Sequence, residues 1–180
     1  MDVIETRIDT RSDEYRKNYE SMEALVATLK EELRIAREDR SPQARKRLLS
    51  QGKMPIREKL ELLLDRNTPF LEIAPLAARG LYDGKIHGAG LVTGIGVVAG
   101  REVMVTGNDA MIKGGATYPL TVKKSLRCQT IVMENRLPVI TLIDSAGGFL
   151  QLQSEVFPDI DDGGRLFYNQ AITSKLGIPQ

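Results

Sequence analysis

Val139-Ile-Thr-Leu-Ile-Asp-Ser-Ala-Gly-Gly-Phe149 is an apolar run that breaks abruptly into small residues. Val139 to Ile143 reads as a buried strand, bounded before by Pro138 and after by Asp144-Ser145-Ala146-Gly147-Gly148. Ala146, Gly147 and Gly148 leave backbone N–H groups uncovered at the end of that strand. Such a place can hold an anion, or the negative oxygen of an enolate. The alternative is a turn whose glycines supply positive φ angles and nothing more. Taken alone the tripeptide favours the plain turn, so the neighbouring segments decide.

Working outward, a helix is predicted from Pro119 to Arg136, with Val122, Leu126, Cys128, Ile131 and Val132 available for burial. Before it lies the loop Gly107-Asn-Asp-Ala-Met-Ile-Lys-Gly-Gly-Ala116, which carries a second small-residue patch at Gly114, Gly115 and Ala116. Earlier still, Gly90–Val98 and Glu102–Thr106 flank Ala99-Gly100-Arg101 and read as a β-hairpin. After the Val139 strand a helix is expected from Gly163 to Leu176. The order strand, helix, strand, helix implies β-α-β crossovers, an α/β fold and a mixed, largely parallel sheet. Gly177-Ile-Pro-Gln180 mirrors Asn135-Arg-Leu-Pro138, the lead-in to the Val139 strand. Another core strand is therefore expected next, and the chain reads as cut short.

Residues 1–66 form a charged, helical arm distinct from the glycine-rich and β-branched remainder, 67–180. From Ser12, a predicted N-cap, Tyr15, Tyr19, Met22, Val26, Leu29, Leu33 and Ala36 alternate spacings of four and three, a narrow seam suited to another helix or a neighbouring surface. Ser41-Pro42 restarts a helix. Gly52 ends it, and Pro55 opens a third carrying Leu60, Leu62, Leu63 and Leu64. Arg40, Arg45, Lys46, Arg47, Lys53, Arg57 and Lys59 face one acid in the same stretch, Glu58. A solvated helical face explains them, unless a ligand carrying several phosphates is present.

Over the 180 residues, 25 Lys and Arg balance 24 Asp and Glu, which gives no reason to propose nucleic acid or a membrane as partner. One cysteine, Cys128, excludes an intrachain disulfide and reads as a small buried hydrophobe. The single histidine, His87, reads as a loop or strand-edge residue, so neither a histidine zinc site nor a Ser–His triad is expected. The polar, acidic N-terminus carries no leader pattern, which points to the cytoplasm, or to the mitochondrial matrix if the N-terminus is a processed one.

Four segments together resemble a known family: Gly52–Asp65, Gly107–Lys124, Leu142-Ile-Asp-Ser-Ala-Gly-Gly148 and Phe167-Tyr-Asn-Gln-Ala171. In this order they are similar to the N-terminal portion of carboxyltransferase (β) subunits of biotin-dependent acyl-CoA carboxylases, of the methylcrotonyl-, geranyl- and propionyl-CoA type. The resemblance implies a partial crotonase-like domain and transfer of a carboxyl group from carboxybiotin to an acyl-CoA through a thioester enolate. It also implies a biotin carboxylase/biotin carrier (α) subunit as partner, and a homo-oligomer of full-length β subunits. Carried onto these residues, the backbone of Ala146, Gly147 and Gly148 supplies one side of an oxyanion hole, with Ala146 and Gly147 as the foremost donors. Gly114, Gly115, Ala116 and Tyr118 line the acyl-CoA pocket, and Lys53 and Arg57 meet CoA phosphates. Lys123 and Lys124 are expected to face solvent or a subunit interface.

Two departures stand out. Leu150-Gln-Leu-Gln153 replaces the family's Leu-Pro-Arg-Gln, and Ile160-Asp-Asp-Gly163 replaces a more basic, aromatic stretch after Phe157-Pro158-Asp159. Both point to an acyl group different from, or longer than, methylcrotonyl. The second donor of the hole is expected beyond Gln180, so the isolated chain is expected to be inactive. The alternative is a non-catalytic module that docks on full-length subunits through the Tyr15–Ala36 seam.

Overall fold

The computed structural model describes residues 5–157 and 160–180. Pro158 and Asp159, of the matching Phe157-Pro158-Asp159 triplet, lie outside the described residues. Helix α1 spans Asp13–Glu38 and is capped by the Ser12 hydroxyl, which accepts from the Tyr15 N–H. Helix α2 spans Pro42–Ser50 under a Ser41 cap, and α3 spans Ile56–Leu63 behind Pro55. Each start falls where the capping chemistry predicts.

Strands β1 (Leu71–Glu72), β2 (Leu91–Val98), β3 (Arg101–Asn108) and β4 (Val139–Leu142) form one sheet in that order. The β1–β2 and β2–β3 pairings are antiparallel and only β3–β4 is parallel. The expected largely parallel sheet is corrected. A two-residue turn, Ala99-Gly100, links β2 to β3, and such a turn joins only antiparallel strands. The described chain completes a single crossover, through α4 (Pro119–Asn135). Asp65, just past α3, accepts from the N–H groups of Ala99 and Gly100 at 2.9 and 2.7 Å and so pins the turn.

β3 alternates its faces. Val103 and Val105 join Ile56 and Leu60 of α3 and Val92 of β2 in one buried cluster. Met104 points the other way, to Cys128 and Val132 of α4, Leu137 and Ile178. The sheet is thus the middle of three layers, with α4 and α6 (Gly163–Lys175) behind it and the one-turn helix α5 (Gln153–Val156) preceding α6. On the α3 face the sheet has bare backbone at Gly107, where a Cβ would collide with Ile56.

β4 is only half-buried, and Ile143, predicted to continue a buried strand, is exposed. Pro179 O accepts from Val139 N–H at 2.9 Å, so the chain returns alongside β4. In α1 only Ala36 is buried, and residues 16–31 are exposed throughout. No helix among the described residues is long and apolar enough to cross a membrane.

Lys124 corrects another expectation. Its side chain is buried, with the ammonium donating to Gly88 O at 3.0 Å and Leu91 O at 2.7 Å. It staples the His87–Gly90 turn, where Gly88 and Ala89 are left-handed, onto α4. Lys123 is exposed as expected. Cys128 is buried beside the Thr93 hydroxyl at 3.3 Å; burial pushes its thiol pKa up, which keeps it unreactive. His87 stands in the turn before β2, 3.0 Å from the Asp39 carboxylate.

Candidate functional site

β3 and β4 run parallel, so their C-terminal ends emerge side by side, with Gly107 opposite Leu142. This end of a parallel pair is where α/β sheets bind ligands. The loop after β3 carries Gly114, Gly115 and Ala116, and the turn after β4 carries Asp144 to Gly148. The two lie against each other. Ala146 N–H donates to Gly114 O at 2.9 Å, and the Ser145 hydroxyl donates to Gly115 O at 2.8 Å. Thr117 N–H donates to Gly147 O, and Phe149 N–H donates to Thr117 O. Gly115 is left-handed, with φ of +73°, and a Cβ there would overlap the Asp144 carbonyl. The contact therefore requires glycine at 115.

These bonds sort the three expected donors. The Ala146 N–H is committed to Gly114, and the Gly147 N–H donates to the Ser145 hydroxyl at 3.1 Å. Among the described residues the Gly148 N–H has no acceptor, and it is half-buried. It alone of the three is free to meet an incoming oxygen.

Tyr118 is buried behind the turn. Its ring stacks on Phe149 at 4.5 Å between centroids and tilts against Tyr82 at 4.9 Å, and burial pushes its phenol pKa up. Ala116 is buried in the same cluster. These two form the floor of the loop pair.

In front of the turn is a cleft of about 460 Å³ whose lining includes Arg47, Lys53, Lys113, Gly114, Asp144 and Ala146. Lys53 Nζ lies 2.6 Å from Asp144 Oδ1, and Lys59 Nζ lies 3.8 Å from the other oxygen. Lys53 therefore reaches the site by holding the turn, across 91 residues of sequence. Neither Arg47 nor Lys113 forms an ion pair among the described residues. Because Lys53 is 45% exposed, solvent screening keeps the pair below about 1 kcal/mol. Lys53→Met is expected to lower stability by less than that, with a loss that shrinks in 1 M salt. A salt-insensitive loss of several kcal/mol in urea denaturation would contradict it.

The structure does not bring Arg57 to this cleft. Its guanidinium grips Glu72 of β1 through two bonds, at 2.8 and 3.1 Å. Burial pushes the Glu72 carboxyl pKa up, but the bonds and charge of Arg57, with Arg37 and Lys124, more than offset it and hold the carboxyl below the usual range. Arg57 is thereby a tie between α3 and the sheet. Sequence reasoning missed Lys113 and Asp144 as members of the site. Lys113 directly precedes Gly114 in the quoted loop, which was the available signal.

Residues 47–180 match the carboxyl transferase domain. The chain belongs to this family. It is 50% identical over 169 residues to the biotin-dependent 3-methylcrotonyl-coenzyme A carboxylase beta1 subunit of Mycobacterium tuberculosis, covering 94% of this chain and 31% of that protein. A probable mitochondrial methylcrotonoyl-CoA carboxylase beta chain of Drosophila melanogaster is 46% identical, over 99% of this chain and 31% of its own length. The crystal structure of the geranyl-CoA carboxylase beta subunit of P. aeruginosa superposes with a TM-score of 0.88 at 40% identity, covering 98% of this chain and 33% of that one. The carboxyl transferase domain chain thus spans about a third of the length of these relatives. Transcarboxylase 12S, at 23% identity and a TM-score of 0.70, shares the fold.

Proposed function

We propose that this chain is the acyl-CoA-binding part of a carboxyltransferase β subunit in a biotin-dependent acyl-CoA carboxylase. The observation that supports it is the uncommitted Gly148 N–H in a turn whose other end, Asp144 to Ala146, lines a cleft with Arg47, Lys53 and Lys113. CoA carries phosphates, and Arg47, Lys53 and Lys113 supply their counter-charges. The thioester oxygen gains negative charge as the enolate forms, and the Gly148 N–H donates to it there. A single donor of this kind is worth about a hundred- to a thousand-fold in rate. Ala146, Gly147, Gly114 and Gly115 hold that donor in place, and Ala116 and Tyr118 support them from behind.

Biotin is carried on a partner subunit, and full-length β subunits assemble as a homo-oligomer. Leu152, half-buried against the Tyr118 cluster, and Ile160, exposed, replace the family's residues and set selectivity for an acyl group other than methylcrotonyl.

Titrating the 15N-labelled chain with an acyl-CoA and with CoA alone tests the assignment. Both ligands are expected to move the Arg47 and Lys113 resonances, and only the thioester the Gly148 amide. No shift at millimolar acyl-CoA overturns the reading. Carboxylated product is expected only when the rest of the β subunit is supplied.

One observation favours a second reading, a docking module: residues 16–31 of α1 are exposed, with Tyr19, Met22 and Leu29 about half or more accessible. Co-elution with a full-length β subunit on a sizing column, with no gain in turnover, would support it.

A further inference from the structure

Arg40 lies before the stretch that matches the carboxyl transferase domain, at the junction of α1 and α2. Its side chain is nonetheless among the most buried of the charged groups, 8% exposed against 4% for its partner Asp109. All three nitrogens of the guanidinium donate. Nε donates to Asp109 Oδ2 at 2.7 Å, one terminal nitrogen to Asp39 O at 2.7 Å and the other to Ala36 O at 3.0 Å. The last two acceptors are carbonyls at the C-terminal end of α1, where a cation is favoured.

Asp109 is equally committed. Its second carboxylate oxygen accepts from Met111 N–H at 3.1 Å, its own N–H donates to Gly90 O, and its carbonyl accepts from Ile112 N–H. Ile112 O then accepts from Gly115 N–H, and Gly114 O accepts from Ala146 N–H. An unbroken chain of bonds thus leads from the arm, through the loop after β3, to the turn that presents Gly148. Lys53 holds the same turn from its other side through Asp144.

We propose that Arg40 and Asp109 are positioning residues for the carboxyltransferase site: the arm, through this buried pair, sets the Gly114 carbonyl and with it the orientation of the Asp144–Gly148 turn. Loss of Arg40 frees the Asp109 carboxylate to turn toward solvent, the loop after β3 loosens, and the Ala146 N–H loses its fixed acceptor. A merely structural pair would weaken the domain without favouring the turn; Glu72, which pairs with Arg57 and with Arg37 of α1 and lines the same small cavity as Arg40 and Asp109, makes no bond to the loop after β3.

The test compares Asp109→Asn and Arg40→Met with Glu72→Gln, which neutralises a similarly buried carboxylate remote from the turn. Amide hydrogen exchange at Ala146 is read by NMR in the 180-residue chain, with urea denaturation of each variant alongside. The same variants in the full-length carboxylase give KM for acyl-CoA and kcat. The expected result is at least tenfold faster exchange at Ala146, and at least a fivefold loss in kcat/KM, for Asp109→Asn and Arg40→Met. Glu72→Gln, at equal or greater loss of stability, is expected to move neither by more than twofold. Arg40→Lys, which keeps the charge, is expected to recover part of the protection.

Equal effects for the three variants, or unchanged exchange at Ala146, would overturn the proposal. The positioning rests on the acyl-CoA reading only in its kinetic arm. If the wild-type chain failed to bind acyl-CoA while Ala146 exchange still rose selectively, the function would fall and the positioning would stand.

Discussion

Gly115→Ala is expected to destabilise the chain by about 3 kcal/mol and to abolish the proposed acyl-CoA binding. A left-handed alanine costs about 1–2 kcal/mol by itself, and Gly115 has φ of +73°. The added Cβ also has no space, because the Asp144 carbonyl occupies it and the Asn108 Cβ is 3.2 Å away. Backbone cannot give way as a flexible side chain can, so the two loops must separate. Separation breaks the Ala146–Gly114 and Ser145–Gly115 bonds, each worth about 1 kcal/mol net. Gly114→Ala is the matched comparison. It is also left-handed, at +66°, but its Cβ would meet only the Ala146 Cβ at 3.5 Å, an ordinary contact. Its expected cost is about 1 kcal/mol, from backbone strain alone. Urea denaturation of both variants tests the ranking, and equal losses would mean that the interlock of the loops does not limit stability.

The second large effect is a pH dependence that rests on Lys124. Burial lowers its pKa from 10.5 to about 8; Arg57 adds to that shift, and Glu72 and Cys128 oppose it. Between those two values the unfolded chain still holds a proton that the folded chain has released. The unfolded state then binds more protons, so stability rises with pH. The stabilisation is fully present above pH 10.5 and is lost as pH falls through 8. Its size is about 3 kcal/mol, from a shift of about 2.5 pH units at 1.36 kcal/mol each. Lys124→Met removes the titration, so subtracting its urea stability profile from that of wild type isolates the slope. Cys128, whose raised pKa favours the unfolded state at alkaline pH, is coupled to Lys124, so both chains carry Cys128→Ala for the subtraction. Parallel profiles from pH 7 to 10 would rule the assignment out.

What was legible in the sequence was local. Ser12, Ser41-Pro42 and Pro55 announce helix starts through groups that act within three residues, and each helix begins there. The hairpin follows from alternation around Ala99-Gly100. The pairing of the sheet was not legible, because strand–helix–strand order shows that one crossover exists, not how the remaining strands pair. Lys124 was misplaced for a similar reason. A lysine beside another lysine reads as a wet helix face, and only the Gly88 and Leu91 carbonyls, more than thirty residues earlier, make burial tolerable. In the site, the motif marks the Asp144–Gly148 turn. Which N–H stays free depends on where Gly114 O and the Ser145 hydroxyl end up, and no local pattern carries that information. The same holds for Arg40 and Asp109, 69 residues apart.

The exposed length of α1 has a consequence for how this chain melts. A helix with sixteen consecutive residues in water is marginal once nothing packs on it. Its fraying is therefore separate from collapse of the sheet layers, and a single melting temperature describes neither process. Two tyrosine pairs divide along the same line: Tyr15 and Tyr19 stack on each other in the arm, while Tyr82 and Tyr118 pack at a tilt beneath the loops. Far-ultraviolet ellipticity counts the arm heavily, whereas near-ultraviolet bands from the domain pair report the sheet, so the two thermometers read different transitions in one molecule.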